Sequence, residues 1–115
     1  MEIRIIEEKI GKEELRKIAE ENYGDMTKAV VDIEKEIIAI GGEFHSDASV
    51  VLVEKEGSNQ EDVWGFNIYP DEPKENRLEY DSLVNIKPKQ GNRDVIIGSE
   101  EIRERIKKIV DNLIE

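Results

Sequence analysis

The chain has no cysteine, one histidine and one tryptophan among its 115 residues. Without thiols, disulfide bonds, thiolate metal sites and cysteine nucleophiles are all excluded. Apolar runs are also short: the longest aliphatic stretches are residues 37–40 and 50–53, whereas a membrane-spanning helix needs about 20 apolar residues. The first ten residues carry charge throughout and lack the apolar core of a signal peptide. We therefore expect a cytoplasmic protein with no membrane partner.

Charge of one sign dominates the composition. Asp and Glu number 28 against 17 Lys and Arg, which leaves a net charge of −11. A field of this sign repels phosphate, so nucleic acid is not an expected partner. Abundant Glu, Lys and Ile, together with the lack of cysteine, are typical of a protein from a thermophile.

The length fits one domain, which we place at residues 1–115. Hydrophobic periodicity predicts both terminal helices clearly. The first spans about residues 12–22 and ends at Gly24, and the second begins after Ser99, with two glutamates in its first turn and an apolar stripe from Ile102 to Ile114. The patterns predict strands at residues 3–6, 29–33, 37–40, 63–69 and 78–86, with a tight turn at Glu34-Lys35.

Residues 47–56 are ambiguous. Their β-branched run favours a sixth strand, whereas Ser46 or Asp47 could instead cap a short helix. We prefer the strand. The predicted fold is therefore α+β: a mostly antiparallel β-meander of about five to six strands, with an N-terminal and a C-terminal helix packed on one face.

The single histidine lies in the string GGEFHSD, where Glu43, His45 and Asp47 fall at every second residue. In an extended segment these three side chains would share one face. Imidazole and carboxylates together can hold a divalent metal, or a carboxylate can orient the imidazole as a general base. The alternative is a surface or capping histidine among the many acids of this chain. Asp32 lies on an earlier strand, where it would pair near Ile37 at some distance from His45.

Two asparagines interrupt apolar strand patterns, Asn67 in FNI and Asn85 in VNI. Buried amides must be hydrogen-bonded, so each has a partner that the sequence does not name. As ligand contacts they would line a pocket with Trp64 or Tyr69; as structural residues they would bond to loop backbone or to each other.

The loop from Lys87 to Arg93 is a small cationic patch on an acidic protein. Arg93 is the residue suited to grip a phosphate or a carboxylate. The alternative is a solvated turn whose charges offset nearby acids.

Four strings, AVVDIE, AIGGEFHSD, GSNQEDVWGFNIYP and DSLVNIKPKQGNR, resemble a small family of archaeal and bacterial proteins known only as a domain of unknown function. The tryptophan-containing string is the most specific of the four. The resemblance spans nearly the whole chain and implies a free-standing single domain. It implies no activity, cofactor or catalytic residue.

Two functions remain in competition at this level. The first is a non-enzymatic binding or assembly domain that forms a homo-oligomer, because two helices cannot cover both apolar faces of the predicted sheet. The second is a small hydrolytic enzyme, metal-assisted or not, that uses Glu43, His45 and Asp47 with an asparagine to orient the substrate. His45 in a concave site with a carboxylate would favour the enzyme.

Overall fold

The fold was analysed in a computed structural model, which describes residues 2–115. These residues form a five-stranded antiparallel sheet and three α-helices. The strands are β1 (Ile3–Ile6), β2 (Thr27–Asp32), β3 (Ile37–Gly41), β4 (Val63–Ile68) and β5 (Leu78–Glu79). The helices are α1 (Lys12–Glu21), α2 (His45–Lys55) and α3 (Glu100–Leu113). The predicted α+β class is confirmed.

The centre of the sheet is the hairpin of β2 and β3, and the full strand order is β1-β3-β2-β4-β5. The turn of the hairpin spans residues 33–36 rather than two residues alone. Asp32 is buried at its start, and one carboxylate oxygen accepts from the backbone N–H groups of Glu34 and Lys35 at 2.9 and 3.0 Å. Asp32 therefore builds this turn.

Alternate side chains of the strands point to opposite faces of the sheet, and each face has its own hydrophobic core. Trp64, Phe66 and Ile68 of β4 pack with α1 and α3 in the larger core, which confirms the predicted packing of both terminal helices on one face. We call this side the helix-pair face. Ser99 caps α3 as predicted, since its hydroxyl accepts from the backbone N–H of Ile102 at 3.2 Å.

The opposite side, which we call the α2 face, differs from the sequence prediction. Residues 47–56 lie mainly in α2, so the preferred sixth strand is wrong. Ala48 and Leu52, four residues apart, are fully buried against Val30 and Ala39 of the sheet. Strand preference is weak and depends on the surroundings, and here burial at helical spacing outweighs it.

The predicted strand 78–86 is also largely wrong, because β5 ends at Glu79. The backbone of residues 81–97, which we call the crossing segment, then pairs with itself: Ser82 N–H donates to the Val95 carbonyl at 3.0 Å. This segment lies directly on β4 at Gly65, where a Cβ would lie 2.6 Å from the Ser82 hydroxyl oxygen. Glycine is therefore required at this close approach.

Candidate functional site

The candidate site lies where α2 begins on the α2 face. Gly41 and Gly42 both have positive φ angles and carry the chain from β3 toward α2. A Cβ on Gly41 would also run into the backbone oxygen of Glu2. Asp47 then stabilises the first turn of α2, since its carboxylate accepts from the backbone N–H of Phe44 at 3.3 Å. This turn places His45 against the sheet.

His45 is 8% exposed, and its Nε2 lies 2.9 Å from the carbonyl oxygen of Phe66. A carbonyl only accepts, so Nε2 carries the hydrogen and Nδ1 of the neutral ring is an acceptor. Burial lowers the pKa of His45 below its usual value, and the Lys28 ammonium adds to this effect. The bond to Phe66 and the nearby Asn67 amide oppose the shift without reversing it. His45 is therefore a neutral imidazole at pH 7.

Asn67 lies beside His45 on the α2 face and is 7% exposed. Its Nδ2 donates to a carboxylate oxygen of Glu79 at 2.8 Å, which sets the orientation of the amide. Its Oδ1 is buried and has no hydrogen-bond partner among residues 2–115. An unsatisfied buried acceptor costs about 1–3 kcal/mol. Such a group in a native structure calls for an explanation, and here it belongs to a residue that lines a pocket.

His45 and Asn67 line one pocket, which we call the α2 pocket. Its volume is about 320 Å³, at the lower end of the range typical of small-molecule sites. Phe44 and Leu83 stand on its walls with 57% and 77% of their surface exposed. The remaining lining residues are Lys28, Ser46, Asp81, Ser82, Val84 and Val95. The pocket thus combines apolar walls with a few polar groups.

Asp81 is the acidic side chain of this pocket, and sequence reasoning did not identify it as a site residue. Burial raises its pKa above the usual value, and the negative charges of Glu79 and Asp94 raise it further. In the sequence Asp81 is one of 28 acids, and no spacing connects it to His45. Only the course of the crossing segment brings the two side chains to one pocket.

The predicted trio does not share a face. In a helix, side chains two positions apart differ by about 200° of rotation around the axis. Asp47 therefore lies on the other side of α2 from His45. Glu43 is exposed, and its backbone carbonyl accepts from the Tyr23 hydroxyl at 2.5 Å. Among residues 2–115 no group of three His, Cys, Asp or Glu side chains could hold a metal ion. The extended geometry on which the metal prediction depended is absent.

Asn85 follows the structural alternative. It is fully buried, and its side chain bonds to both backbone groups of Gly65, at 2.8 and 2.9 Å, and to the Val95 carbonyl at 3.1 Å. These three bonds attach the crossing segment to β4. Asn85 is not among the residues that line the α2 pocket.

In the cationic loop, Lys87 and Arg93 lie in different surroundings. Lys87 is buried; its ammonium donates to the Gln60 carbonyl at 2.6 Å and lies 5.2 Å from the centre of the Trp64 ring. Burial lowers the pKa of Lys87, while Asp62 and Glu61 oppose that shift. Arg93 is exposed. The structure therefore does not bring Arg93 together with the α2 pocket.

Comparisons with known proteins bear on the family alone. A search of curated proteins finds no match, and a search of solved structures likewise finds none. Among residues 2–115 no helix combines the length and the apolar character that crossing a bilayer requires. A family model does match, from residue 4 to residue 113, and it confirms the resemblance carried by the four sequence strings. The chain therefore belongs to the family described as "Protein of unknown function (DUF5674)".

Proposed function

We propose that this protein is a non-enzymatic binding domain whose small organic ligand occupies the α2 pocket. The observation that carries the proposal is the pairing of two exposed apolar walls, Phe44 and Leu83, with the buried polar side chains of His45 and Asn67. Concave sites with mainly apolar walls and a few oriented polar groups are typical of ligand recognition. Large side chains left this exposed at a pocket gain apolar contact when a ligand fills it.

The hydrogen bonding of His45 supports binding rather than catalysis. Its Nε2–H donates to the backbone carbonyl of Phe66, which fixes the tautomer, and among residues 2–115 no nucleophile or carboxylate is hydrogen-bonded to the ring. Among the described residues, no serine or threonine hydroxyl is hydrogen-bonded to the imidazole. The ring is thus held as a neutral polar wall.

The competing proposal is a hydrolytic enzyme, and one observation favours it. His45 lies in a concave site with a carboxylate, although that carboxylate belongs to Asp81 rather than to Glu43 or Asp47. An ester-hydrolysis assay of the wild-type protein and His45→Ala separates the two proposals. Hydrolysis that the substitution abolishes would support the enzyme, whereas equal background rates in both proteins support the binding domain.

Homo-oligomer formation stays a proposal, on a narrower basis than the sequence indicated. The second face of the sheet, which was expected to need a partner subunit, is covered by α2 and the crossing segment. What supports self-association now is the exposure of Phe44 and Leu83. Light scattering tests it: a dimer mass that Leu83→Asp converts to a monomer supports the oligomer, and a monomeric wild type contradicts it.

A fragment screen followed by amide NMR spectra tests the binding proposal. We expect fragments with an apolar ring to shift the amide signals of residues 44–46, 67 and 81–84. Leu83→Ala should weaken these fragments, because it removes a wall of the pocket. Val50→Ala is the matched control, since Val50 is 51% exposed on α2 but does not line the pocket. Absence of any cluster of shifts there, or equal effects of both substitutions, would contradict the proposal.

A further inference from the structure

We infer that the ligand of the α2 pocket is a small organic amine, with an apolar body between Phe44 and Leu83 and an ammonium group paired with Asp81. This inference rests on the proposed function and specifies its ligand class. It depends on three features of the pocket: its walls, its carboxylate and its acceptor atoms.

The apolar walls determine the body of the ligand. Phe44 and Leu83 are both more than half exposed, and Val84 and Val95 extend the same apolar lining. A flat or branched hydrocarbon group in this space would remove apolar surface of both partners from water. A sugar or an inorganic ion offers no such group.

Asp81 determines the charge of the ligand. Among residues 2–115 no lysine or arginine forms an ion pair with Asp81. Burial, together with the negative charges of Glu79 and Asp94, raises the pKa of Asp81, so its ionised form is held in an unfavourable field. A cation in the pocket would relieve this repulsion, and an anion would add to it.

Asn67 provides an independent argument for a donor. Its Oδ1 is buried and without a partner among the described residues, and its amide cannot turn over without losing the bond to Glu79. His45 lines the same pocket, and the Nδ1 of its neutral ring is a second acceptor. An ammonium group carries three donors and no acceptor, which matches this set. Because the Asn67 oxygen is covered, a donor reaches it only when a pocket wall shifts.

Lys28 is the one cationic side chain among the described lining residues, and it does not reverse the charge preference. Its ammonium lies 5.5 Å from the centre of the Tyr23 ring, in cation–π geometry. Asp81 is the one carboxylate of the lining, and the charges of Glu79 and Asp94 lie near enough to raise its pKa. The local field therefore favours a cationic ligand.

Three probes of nearly equal shape test the inference: benzylamine, benzyl alcohol and benzoate, each titrated into the wild-type protein at neutral pH and low salt. We expect benzylamine to bind most tightly and benzoate most weakly, by amide NMR shifts of residues 44–46, 67 and 81–84. Asp81→Asn should weaken benzylamine by up to about fivefold, the size expected for a partly exposed ion pair. The same substitution should leave the affinity for benzyl alcohol unchanged.

Glu104→Gln is the matched control, because it removes the same charge from an exposed position on α3, on the opposite side of the sheet. Equal loss of benzylamine affinity in both variants would reduce the effect to net charge and overturn the inference. Equal affinities of all three probes would also overturn the inference. If all three then bound more weakly to Leu83→Ala, the proposed binding site itself would still be supported. Absence of pocket shifts with every probe would contradict the proposed function itself.

Discussion

The two faces of the sheet are closed by different means. On the helix-pair face, α1 and α3 bury a continuous apolar core that includes Trp64, Phe66 and Ile106. On the α2 face a single 11-residue helix and the crossing segment cover a smaller core around Val30 and Leu52. Hydrogen bonds from the buried Asn85 attach the crossing segment to the sheet there.

From this difference we expect most of the stability to come from the helix-pair face, and the proposed ligand binding belongs to the α2 face. The apolar side chains between the sheet and the helices α1 and α3 form the larger of the two cores and should contribute most of the hydrophobic stabilisation. An irregular segment fixed by a few hydrogen bonds leaves gaps, and one of these gaps is the α2 pocket. Binding residues are commonly placed on such irregular segments over a rigid scaffold.

The largest effect is expected on the helix-pair face. Ile106→Ala should lower the free energy of unfolding by about 2–5 kcal/mol, because a fully buried side chain leaves a cavity. Urea unfolding followed by circular dichroism measures the change. Ile86→Ala, at a site 43% exposed, is the control and should have a much smaller effect. Similar losses in both variants would contradict the assignment of the main core to this face.

On the α2 face, Asn85→Ala should lower the free energy of unfolding by about 2–3 kcal/mol, since it leaves the buried backbone groups of Gly65 unpaired. It should also shift the amide signals of the crossing segment, because the segment loses its attachment to β4. Asn76→Ala removes the same side chain from an exposed loop and should change neither measurement. A stability loss without spectral change in the crossing segment would argue against this role for Asn85.

On the α2 face, His45 adds a pH dependence near neutral pH. Its folded-state pKa lies below the usual 6.5, so the unfolded chain takes up more protons as the pH falls through that value. Its contribution to stability is fully present above the unfolded pKa and is lost as the pH falls toward the folded pKa. Lys28 opposes protonation of His45, and the acidic Glu79 and Asp81 lie on the segments beside it.

His45→Gln measures this term, because glutamine can still donate to the Phe66 carbonyl but does not titrate. Between about pH 7.5 and about pH 5.5 the wild type should lose more stability in urea than the variant does. The acidic residues titrate in both proteins, so the difference between the two curves isolates His45. Parallel curves would contradict the lowered pKa.

The smallest effect is expected at the rim of the pocket. Leu83→Ala should change the free energy of unfolding by no more than about 0.5 kcal/mol, because its side chain is 77% exposed. Thermal and urea unfolding measure the change. A larger loss would indicate that Leu83 packs against another surface in solution, as in the proposed homo-oligomer. An unchanged free energy of unfolding would agree with a side chain that is available for ligand contact.

Sequence patterns predicted the helix-pair face well. The apolar stripes of α1 and α3 and the alternation of β4 are local signals, and each appears in the structure at nearly the predicted bounds. The α2 face was predicted poorly because its segments lack such local signals. The β-branched run of residues 50–53 has no single periodicity, and residues 80–86 leave the sheet because their backbone bonds to residues 92–97.

The candidate site shows the same division. His45 and Asn67 were recognised because a lone histidine and an asparagine between apolar neighbours are unusual in any strand pattern. Asp81 and Leu83 were not recognised as site residues, since their meaning depends on a pocket formed across three separate segments. Glu43 and Asp47 were chosen on an extended geometry that α2 replaces with helical rotation.

The amino-acid sequence by itself determined the α+β class, the two terminal helices, the central hairpin and the acidic surface, because these depend on local periodicity and composition. Only the tertiary structure decided that residues 45–55 form a helix, that the second face is covered within the chain, and that His45, Asn67 and Asp81 share a pocket. The physical reason is that these features depend on burial and on hydrogen bonds between distant segments, which no local pattern encodes.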